Sequence, residues 1–265
     1  MSQQYQKILK QASEQRRRLV IQLTVVLGLL LLCSYYVGLF DIARLADGLP
    51  SLWLIAQEGF PPNFSDWQSW LKPLFDTVAM SIVGTALAFT VALPLGILAA
   101  RNTSPHPIIY QLVRAILNIL RAIPELIMGI LFVAAVGFGV LPGVLALAFH
   151  SIGMVGKFVA ESIEHADNGP IEAVRSTGAS PFQVITHAVL PQVTSKIIDL
   201  GLYRWEYNFR ASTVLGMVGA GGIGFELMSS LRLMHYDEVA ALLLIILLMV
   251  TLVDSVGGFL RLRFK

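Results

Sequence analysis

Long uncharged apolar stretches are separated by short polar segments along the chain. Residues 19–40 and 77–100 contain no charged side chain, and residues 239–260 contain only Asp254. A helix of roughly 20 residues crosses the ~30 Å hydrocarbon layer of a bilayer. Each of these three stretches therefore predicts one membrane-spanning helix.

A longer apolar stretch, residues 126–156, has no Asp, Glu, Lys or Arg and is too long for one ordinary span. Its middle, GFGVLPG at 137–143, is rich in Gly and Pro, which favour turns. We therefore predict two spans joined by a tight hairpin, the first beginning at about Ile116 and the second ending at about Ile163.

A sixth span at residues 192–215 is predicted from topology, because its charged side chains weaken its hydropathy. Lys and Arg favour the cytoplasmic side of a membrane. With this span included, most of the 19 Lys and Arg residues lie in cytoplasmic segments. Without it, the basic tail Arg261–Lys265 would lie outside. We predict an all-α integral membrane protein with six transmembrane helices and both termini in the cytoplasm.

The spans divide the chain into three parts. Residues 1–18 are predicted to be a cytoplasmic N-terminal segment, 19–72 the first span with an extracytoplasmic loop, and 73–265 a five-span core. The loop is rich in Trp and Phe, which favour membrane interfaces. It either lies along the outer membrane surface or forms a simple extracytoplasmic loop.

Composition supports a membrane protein and excludes several other classes. Charged residues make up 14% of the chain, whereas soluble domains carry about 25%. No basic, aromatic-interleaved stretch suggests nucleic acid binding. The single cysteine, Cys33, excludes an intrachain disulfide and a cysteine metal site, and we predict no metal site. The chain has no GxxxxGK[ST] phosphate loop, so it is not expected to be an enzyme that hydrolyses ATP.

The segment between the fourth and fifth spans, EAVRSTGASPFQVITHAVLP at 172–191, is polar and contains helix-breaking residues. Asn168-Gly169-Pro170 predicts a helix start with Pro at the first position, and Gly178 predicts a left-handed helix end. Ser180-Pro181-Phe182-Gln183 predicts a second short helix with a capping box. We predict coupling helices at about 170–190, forming a rigid cytoplasmic protrusion that transmits force to a soluble partner.

The sequence of this segment resembles the EAA loop of ABC-importer permeases. In this chain Val174 stands where the family usually has Ala. RAIPEL at 121–126, HSIGMVGKFVAESIE at 150–164 and RWEYNFRASTVLGMVGAGGIG at 204–224 are similar to the phosphonate import permeases, which include phosphite importers. The resemblance covers about residues 75–260. In such systems the binding protein usually sets the substrate, so the resemblance does not discriminate between phosphite, phosphate, methylphosphonate and 2-aminoethylphosphonate.

The resemblance implies a type I ABC-importer permease fold in a bacterial inner membrane. It implies a homodimer that works with two ATP-binding subunits and an extracytoplasmic substrate-binding protein. This chain would bind lipid but no cofactor, since ATP and Mg are used by the partner ATPase. The residues expected to dock the ATPase are Glu172, Ala173, Gly178, Ala179, Leu190 and Pro191.

Charged side chains inside spans are costly and should face protein or water. One hypothesis is structural: Glu206 pairs with Arg210 at i,i+4, Lys157 pairs with Glu161, and Arg204 finds Glu125 or Glu161. The other is a positively biased path, because guanidinium groups bind oxyanions with two parallel hydrogen bonds. The candidate pathway residues are His150, Lys157, Arg204, Glu206, Asn208 and Arg210.

Closely spaced glycines beyond the fifth span allow a tight approach of backbones. Such an approach suits a gate or a contact across a two-fold axis. The candidate gate residues are Gly219, Gly221, Gly222 and Gly224.

We predict a permease that moves phosphonate, phosphite or a related phosphorus oxyanion inward. One alternative is a permease of the same fold for methionine or a quaternary amine. The others are an ion-coupled secondary transporter and a membrane scaffold that binds a regulator. Secondary transporters commonly contain inverted repeats, which the sequence does not show.

Overall fold

A computed structural model describes residues 2–264, with the side chains of 2–6, 8–12 and 45 left out. Within that range the chain is helical throughout, with eleven α-helices, two short π-helical segments and no strand. The π-helical segments are Ile185–Val189 and Gly216–Ala220. The α-helices are α1 Ser2–Tyr36, α2 Ile42–Glu58, α3 Trp67–Ala99, α4 Pro107–Ala122, α5 Glu125–Val136, α6 Val140–Glu164, α7 Asn168–Ser176, α8 Pro181–Val184, α9 Leu190–Leu215, α10 Ile223–Arg232 and α11 Tyr236–Phe264.

The chain forms two compact units, residues 1–57 and 58–265. In the first unit, α1 covers residues 19–36 of the predicted first span and ends before the turn at 37–40, and its residues 13–36 are apolar enough to cross a membrane. Its large apolar side chains from Leu19 to Leu32 are exposed within the protein. Exposure of such an apolar surface to water is unfavourable, whereas the hydrocarbon layer of a membrane accommodates it.

The second unit is organised around α6, against which α3, α4, α5 and α9 pack. Small residues bring the helices close together. A Cβ on Gly153 would lie 2.7 Å from the carbonyl oxygen of Leu117, and one on Gly96 would lie 2.6 Å from Val159 Cγ1. Close backbone approach of this kind is the usual basis of helix association in membranes.

The span predicted to begin at about Ile116 is a bent pair of helices, because α4 and α5 meet at an angle of 87° at Ile123-Pro124. Proline lacks an N–H and disfavours the α conformation in the residue before it, and Ile123 is extended at φ −86° and ψ 121°. The hairpin is confirmed but is narrower than predicted. It consists of residues 137–139, while Pro142 and Gly143 lie inside α6.

The predicted second coupling helix also differs, because it does not end at Pro191. The backbone stays helical from α8 through the π-helical segment Ile185–Val189 into α9. Proline in a continuous helix removes a hydrogen bond and crowds the carbonyl four residues earlier. The wider π-helical turn relieves this crowding, and in it the Leu190 N–H donates to the Ile185 carbonyl.

Four helices are individually long and apolar enough to span a membrane: α1 from Ser13, α3, α6 and α11. Two bent pairs, Pro107–Val136 and Pro181–Arg232, each qualify as one broken span. Counted in this way, the described residues provide the six spans predicted from the sequence.

Candidate functional site

The first predicted coupling helix, α7, begins two residues earlier than expected. Asp167 caps α7, its carboxylate accepting a hydrogen bond from the Gly169 N–H at 3.0 Å. Pro170 is therefore not the first helical residue, and Glu172 lies beyond the first turn. The Asp167 N–H also donates to Gln192 Oε1 at 2.8 Å. This bond fixes the start of α7 to the cytoplasmic end of α9 in the predicted topology.

The turn between α7 and α8 has the predicted local geometry. Gly178 adopts φ +81°, with no other atom near its missing side chain. Ser180 and Gln183 form the predicted capping box: the Ser180 N–H donates to Gln183 Oε1 at 2.8 Å, and the Gln183 N–H donates to Ser180 Oγ at 3.4 Å. The segment is therefore a defined corner and not a floppy loop.

The turn between α7 and α8 borders an open recess with a volume of about 410 Å³. Glu172, Ala173 and Pro191 of the same segment are exposed but do not line the recess, while Leu190 packs against the core. A recess with exposed flanks can receive a side chain projecting from a partner. It is lined by Val174, Thr177, Gly178, Ala179, Gln183 and His187.

A second polar site lies inside the helix bundle, around Arg204 of α9. Arg204 is 1% exposed. Its Nε donates to Ser151 Oγ at 2.8 Å, its Nη1 contacts Met154 Sδ at 3.2 Å, and its guanidinium carbon lies 4.3 Å from the centre of the Tyr207 ring. Its Nη2 has no hydrogen-bond partner among the residues that the structure describes. The guanidinium group is thus held from one side, and the donors on Nη2 are unused.

Further polar groups extend this site toward α3. Ser151 Oγ donates to Asn208 Oδ1 at 3.2 Å, and Asn208 Nδ2 donates to Thr85 Oγ1 at 2.9 Å. Buried polar groups of this kind are stable when paired. The network therefore fixes the facing sides of α3, α6 and α9.

On its other side the site reaches the bend between α4 and α5. Tyr207 Oη donates to Glu125 Oε1 at 3.0 Å. Glu125 Oε2 lies 3.9 Å from His150 Nε2, and His150 Nδ1 lies 3.3 Å from the Ile123 carbonyl oxygen. Because Pro124 leaves this bend without regular helical hydrogen bonds, side chains can reach its backbone.

The predicted pair of Glu206 and Arg210 does not form. Arg210 Nη1 donates to both oxygens of Asp254, at 2.8 and 2.9 Å. Glu206 instead accepts from Arg261 Nη2 at 2.6 Å. Both residues face α11, and a direct interhelical ion pair replaces the weaker i,i+4 contact.

Lys157 pairs with Glu161 at 3.5 Å, as one alternative expected. The predicted Arg204 partners, Glu125 and Glu161, are not used: no ion pair among residues 2–264, as far as the structure describes them, includes Arg204. The structure therefore brings three of the candidate pathway residues, Arg204, Asn208 and His150, into one cluster. It separates Lys157, Glu206 and Arg210 from them.

The glycine-rich segment is packed mainly within the chain. A Cβ on Gly222 would lie 2.5 Å from Thr77 Oγ1, and one on Gly224 would overlap the carbonyl oxygen of Thr213. Gly219 at φ +104° lies under the Phe138 ring, and Gly221 is the one candidate gate residue that is not buried. The gate assignment stays a prediction, and intrachain packing already accounts for two of the four glycines.

Sequence reasoning missed several partners in these clusters. Tyr207, Ser151 and Met154 are uncharged, so no electrostatic argument selected them. Asp254 carried a usable signal, since it is the only charged residue of its predicted span and needs a cation. Arg261 was assigned to the cytoplasmic tail, yet it lies close enough to α9 to bind Glu206.

Comparison with known proteins agrees with this architecture. Residues 92–265 match the family described as "Binding-protein-dependent transport system inner membrane component". The inward-facing MetNI methionine ABC transporter has a permease chain of similar fold, with a TM-score of 0.67 at 24% identity over 76% of this chain and 99% of that one. The fold is that of a type I ABC-importer permease.

Two relatives are closer in sequence. The chain is 62% identical to the phosphite transport system permease protein PtxC of Stutzerimonas stutzeri, over 92% of this chain and 89% of the relative. It is 46% identical to the phosphate-import permease protein PhnE of Mycolicibacterium smegmatis, over 80% of this chain and 40% of that relative.

Proposed function

Because the chain belongs to the family of binding-protein-dependent transport system inner membrane components, we propose that it carries a phosphorus oxyanion, phosphite or a phosphonate, into the cell. The 62% identity to a phosphite permease over nearly the whole chain carries this proposal. A second relative is named for phosphate import. Phosphite, phosphate and phosphonates all present negatively charged oxygens on tetrahedral phosphorus.

The cargo passes Arg204 on this proposal. Unlike Arg210, Lys157 and Arg261, it has no carboxylate partner among the described residues, and one of its donors is unused. A buried cation without a counter-ion is costly, so a transient anionic ligand would stabilise it. His150 and Asn208 belong to the same cluster. The carboxylate of Glu125 would repel an anion and so limit how closely it approaches the cluster.

The energy comes from ATP and Mg bound by a partner, not by this chain. Two ATP-binding subunits would dock at the recess beside Gly178, on a homodimer of this permease in a bacterial inner membrane with both termini in the cytoplasm. An extracytoplasmic binding protein would deliver the cargo. The rigid corner at 177–183 and its continuity with α9 support this arrangement, since motion of the corner would reach Arg204 along one helix.

Uptake in a strain lacking its own phosphite and phosphonate systems tests the cargo. The permease, ATPase and binding protein are expressed together, and growth is measured on phosphite, methylphosphonate or 2-aminoethylphosphonate as sole phosphorus source. We expect phosphite or phosphonate uptake that stops when the ATPase is inactivated. Uptake of methionine or a quaternary amine with no uptake of any phosphorus oxyanion would refute the proposal.

Variants of Arg204 test its role separately. Arg204→Lys keeps the charge but loses the planar fork, so uptake should slow, and Arg204→Met should abolish it at normal membrane abundance. The matched control is the double variant Arg210→Met with Asp254→Asn, which removes another cation of the same helix together with its partner. Equal loss of uptake in the control would remove the special role of Arg204.

A further inference from the structure

A separate basic cavity lies between the ends of α3, α4 and α6. Its volume is about 180 Å³, many times the roughly 10–15 Å³ that one water molecule needs. It therefore has room for an ion of several non-hydrogen atoms. It is lined by Ala99, Arg114, Leu117, Asn118, Lys157 and Ala160.

Small side chains create this space. α4 packs closely on α6, where a Cβ on Gly156 would lie 2.6 Å from Leu117 Cδ2. Beside that contact, Ala99 and Ala160 offer only methyl groups, and the three helices enclose a gap between them. Long polar side chains from α4 and α6, Arg114 and Lys157, form the polar part of the wall.

Arg114 is fixed by several contacts, but not all of its hydrogen-bond donors are used. Its Nε donates to the Ala99 carbonyl at 3.0 Å, and its Nη2 donates to both oxygens of Glu164 at 2.9 Å. The Tyr110 ring lies 4.7 Å from its guanidinium carbon. Nη1 makes no hydrogen bond to any residue that the structure describes, so an oriented donor remains available.

The other polar wall residues also have spare donors. Among the residues that the structure describes, Lys157 Nζ makes one ion pair, with Glu161 at 3.5 Å, and an ammonium group carries three donors. The Asn118 amide has no hydrogen-bond partner within the described part of the chain. Neither Glu161 nor Glu164 lines the cavity. The wall thus presents two cations and an amide, and each cation is paired with a carboxylate that is not part of the wall.

We propose that this cavity binds a tetrahedral phosphorus oxyanion. Arg114 would supply a directed N–H, Lys157 a mobile charge, and Asn118 a neutral donor, a set that suits phosphate-type oxygens. The oxyanion has two sources: the transported ion on its way to the cytoplasm, or the phosphodiester headgroup of an anionic phospholipid. Only the first source rests on the proposed function.

The test uses the full permease with its ATPase partner in nanodiscs of phosphatidylcholine alone. Phosphite and inorganic phosphate are titrated, and binding is followed by ³¹P NMR line broadening. Asn118→Asp places a negative charge at the wall, and Lys157→Gln removes a cation. The matched control is Lys196→Gln, since Lys196 is an exposed lysine of α9 that does not line the cavity. A second arm extracts each variant from native membranes and quantifies bound phosphatidylglycerol and cardiolipin.

Weakening of free-oxyanion binding by about tenfold or more in Asn118→Asp and Lys157→Gln, but not in Lys196→Gln, supports a cargo exit site. Loss of co-purified anionic lipid in the same two variants, without a change in free-ion binding, supports the headgroup. Unchanged binding in both arms overturns the proposal. Failure to take up any of the tested phosphorus oxyanions, alongside variant-sensitive phosphate binding, would instead overturn the proposed function and leave this site standing.

Discussion

Breaking the ion pair between Arg261 and Glu206 is expected to cause a large loss of stability. Glu206 is 6% exposed, and one of its oxygens has no hydrogen-bond partner in the described part of the chain. The other depends on Arg261 Nη2 at 2.6 Å. Arg261→Met therefore leaves the carboxylate without any partner, which costs about 3–5 kcal/mol for a buried ion pair broken on one side.

A loss of this size corresponds to roughly 6–20 °C in melting temperature for a chain of this length class. It is measured by heating the purified complex and following its elution in size-exclusion chromatography. Glu206→Gln combined with Arg261→Met should recover most of the loss, because the buried uncompensated charge is gone and Asp199, the other partner of Arg261, is exposed to solvent. Arg263→Met is the matched control: Arg263 is an exposed residue of the same tail, and its change should stay within about 0.5 kcal/mol.

The same kind of single and double variants distinguishes the observed pairing from the one expected from sequence spacing. If Glu206 were paired with Arg210, Glu206→Gln would rescue Arg210→Met and not Arg261→Met. The structure predicts the reverse, with Asp254→Asn rescuing Arg210→Met. Rescue of Arg210→Met by Glu206→Gln would refute the interhelical arrangement of α9 and α11.

Three further changes have definite expected outcomes. Gly178→Val forces a β-branched residue to φ +81°, so the permease should insert in the membrane but lose co-purifying ATPase, and retained ATPase would contradict the docking proposal. Gly224→Ala should destabilise the complex by about 1–3 kcal/mol, because its Cβ meets the backbone carbonyl of Thr213; Gly28→Ala, where space is open, should show no such loss in the same thermal assay. Cysteine at Gly221 in a Cys33→Ser background should crosslink two protomers, more readily in one nucleotide state, and no crosslink in any state would argue against a gate there.

Local features of the site followed directly from the sequence. The capping box of Ser180 and Gln183 and the positive φ of Gly178 involve residues at most a few positions apart. Their geometry depends on backbone chemistry that is the same wherever the segment lies. The number of spans also followed, because helix length is set by the thickness of the bilayer.

The partners of buried charges depended on tertiary structure. Sequence spacing favoured Glu206 with Arg210, yet their partners are 55 and 44 residues away, in α11. In a membrane interior a charged side chain pairs with a counter-charge that is close in space. Distance along the chain does not indicate which helices are neighbours. The bend at Ile123-Pro124 and the π-helical turn before Pro191 also needed the structure, because proline permits either a break or an accommodated helix. Sequence thus determined the local structure and the candidate membrane spans. The packing of α9 between α6 and α11 decided that Arg204 has no carboxylate partner among the described residues, while Glu206 and Arg210 are paired with α11.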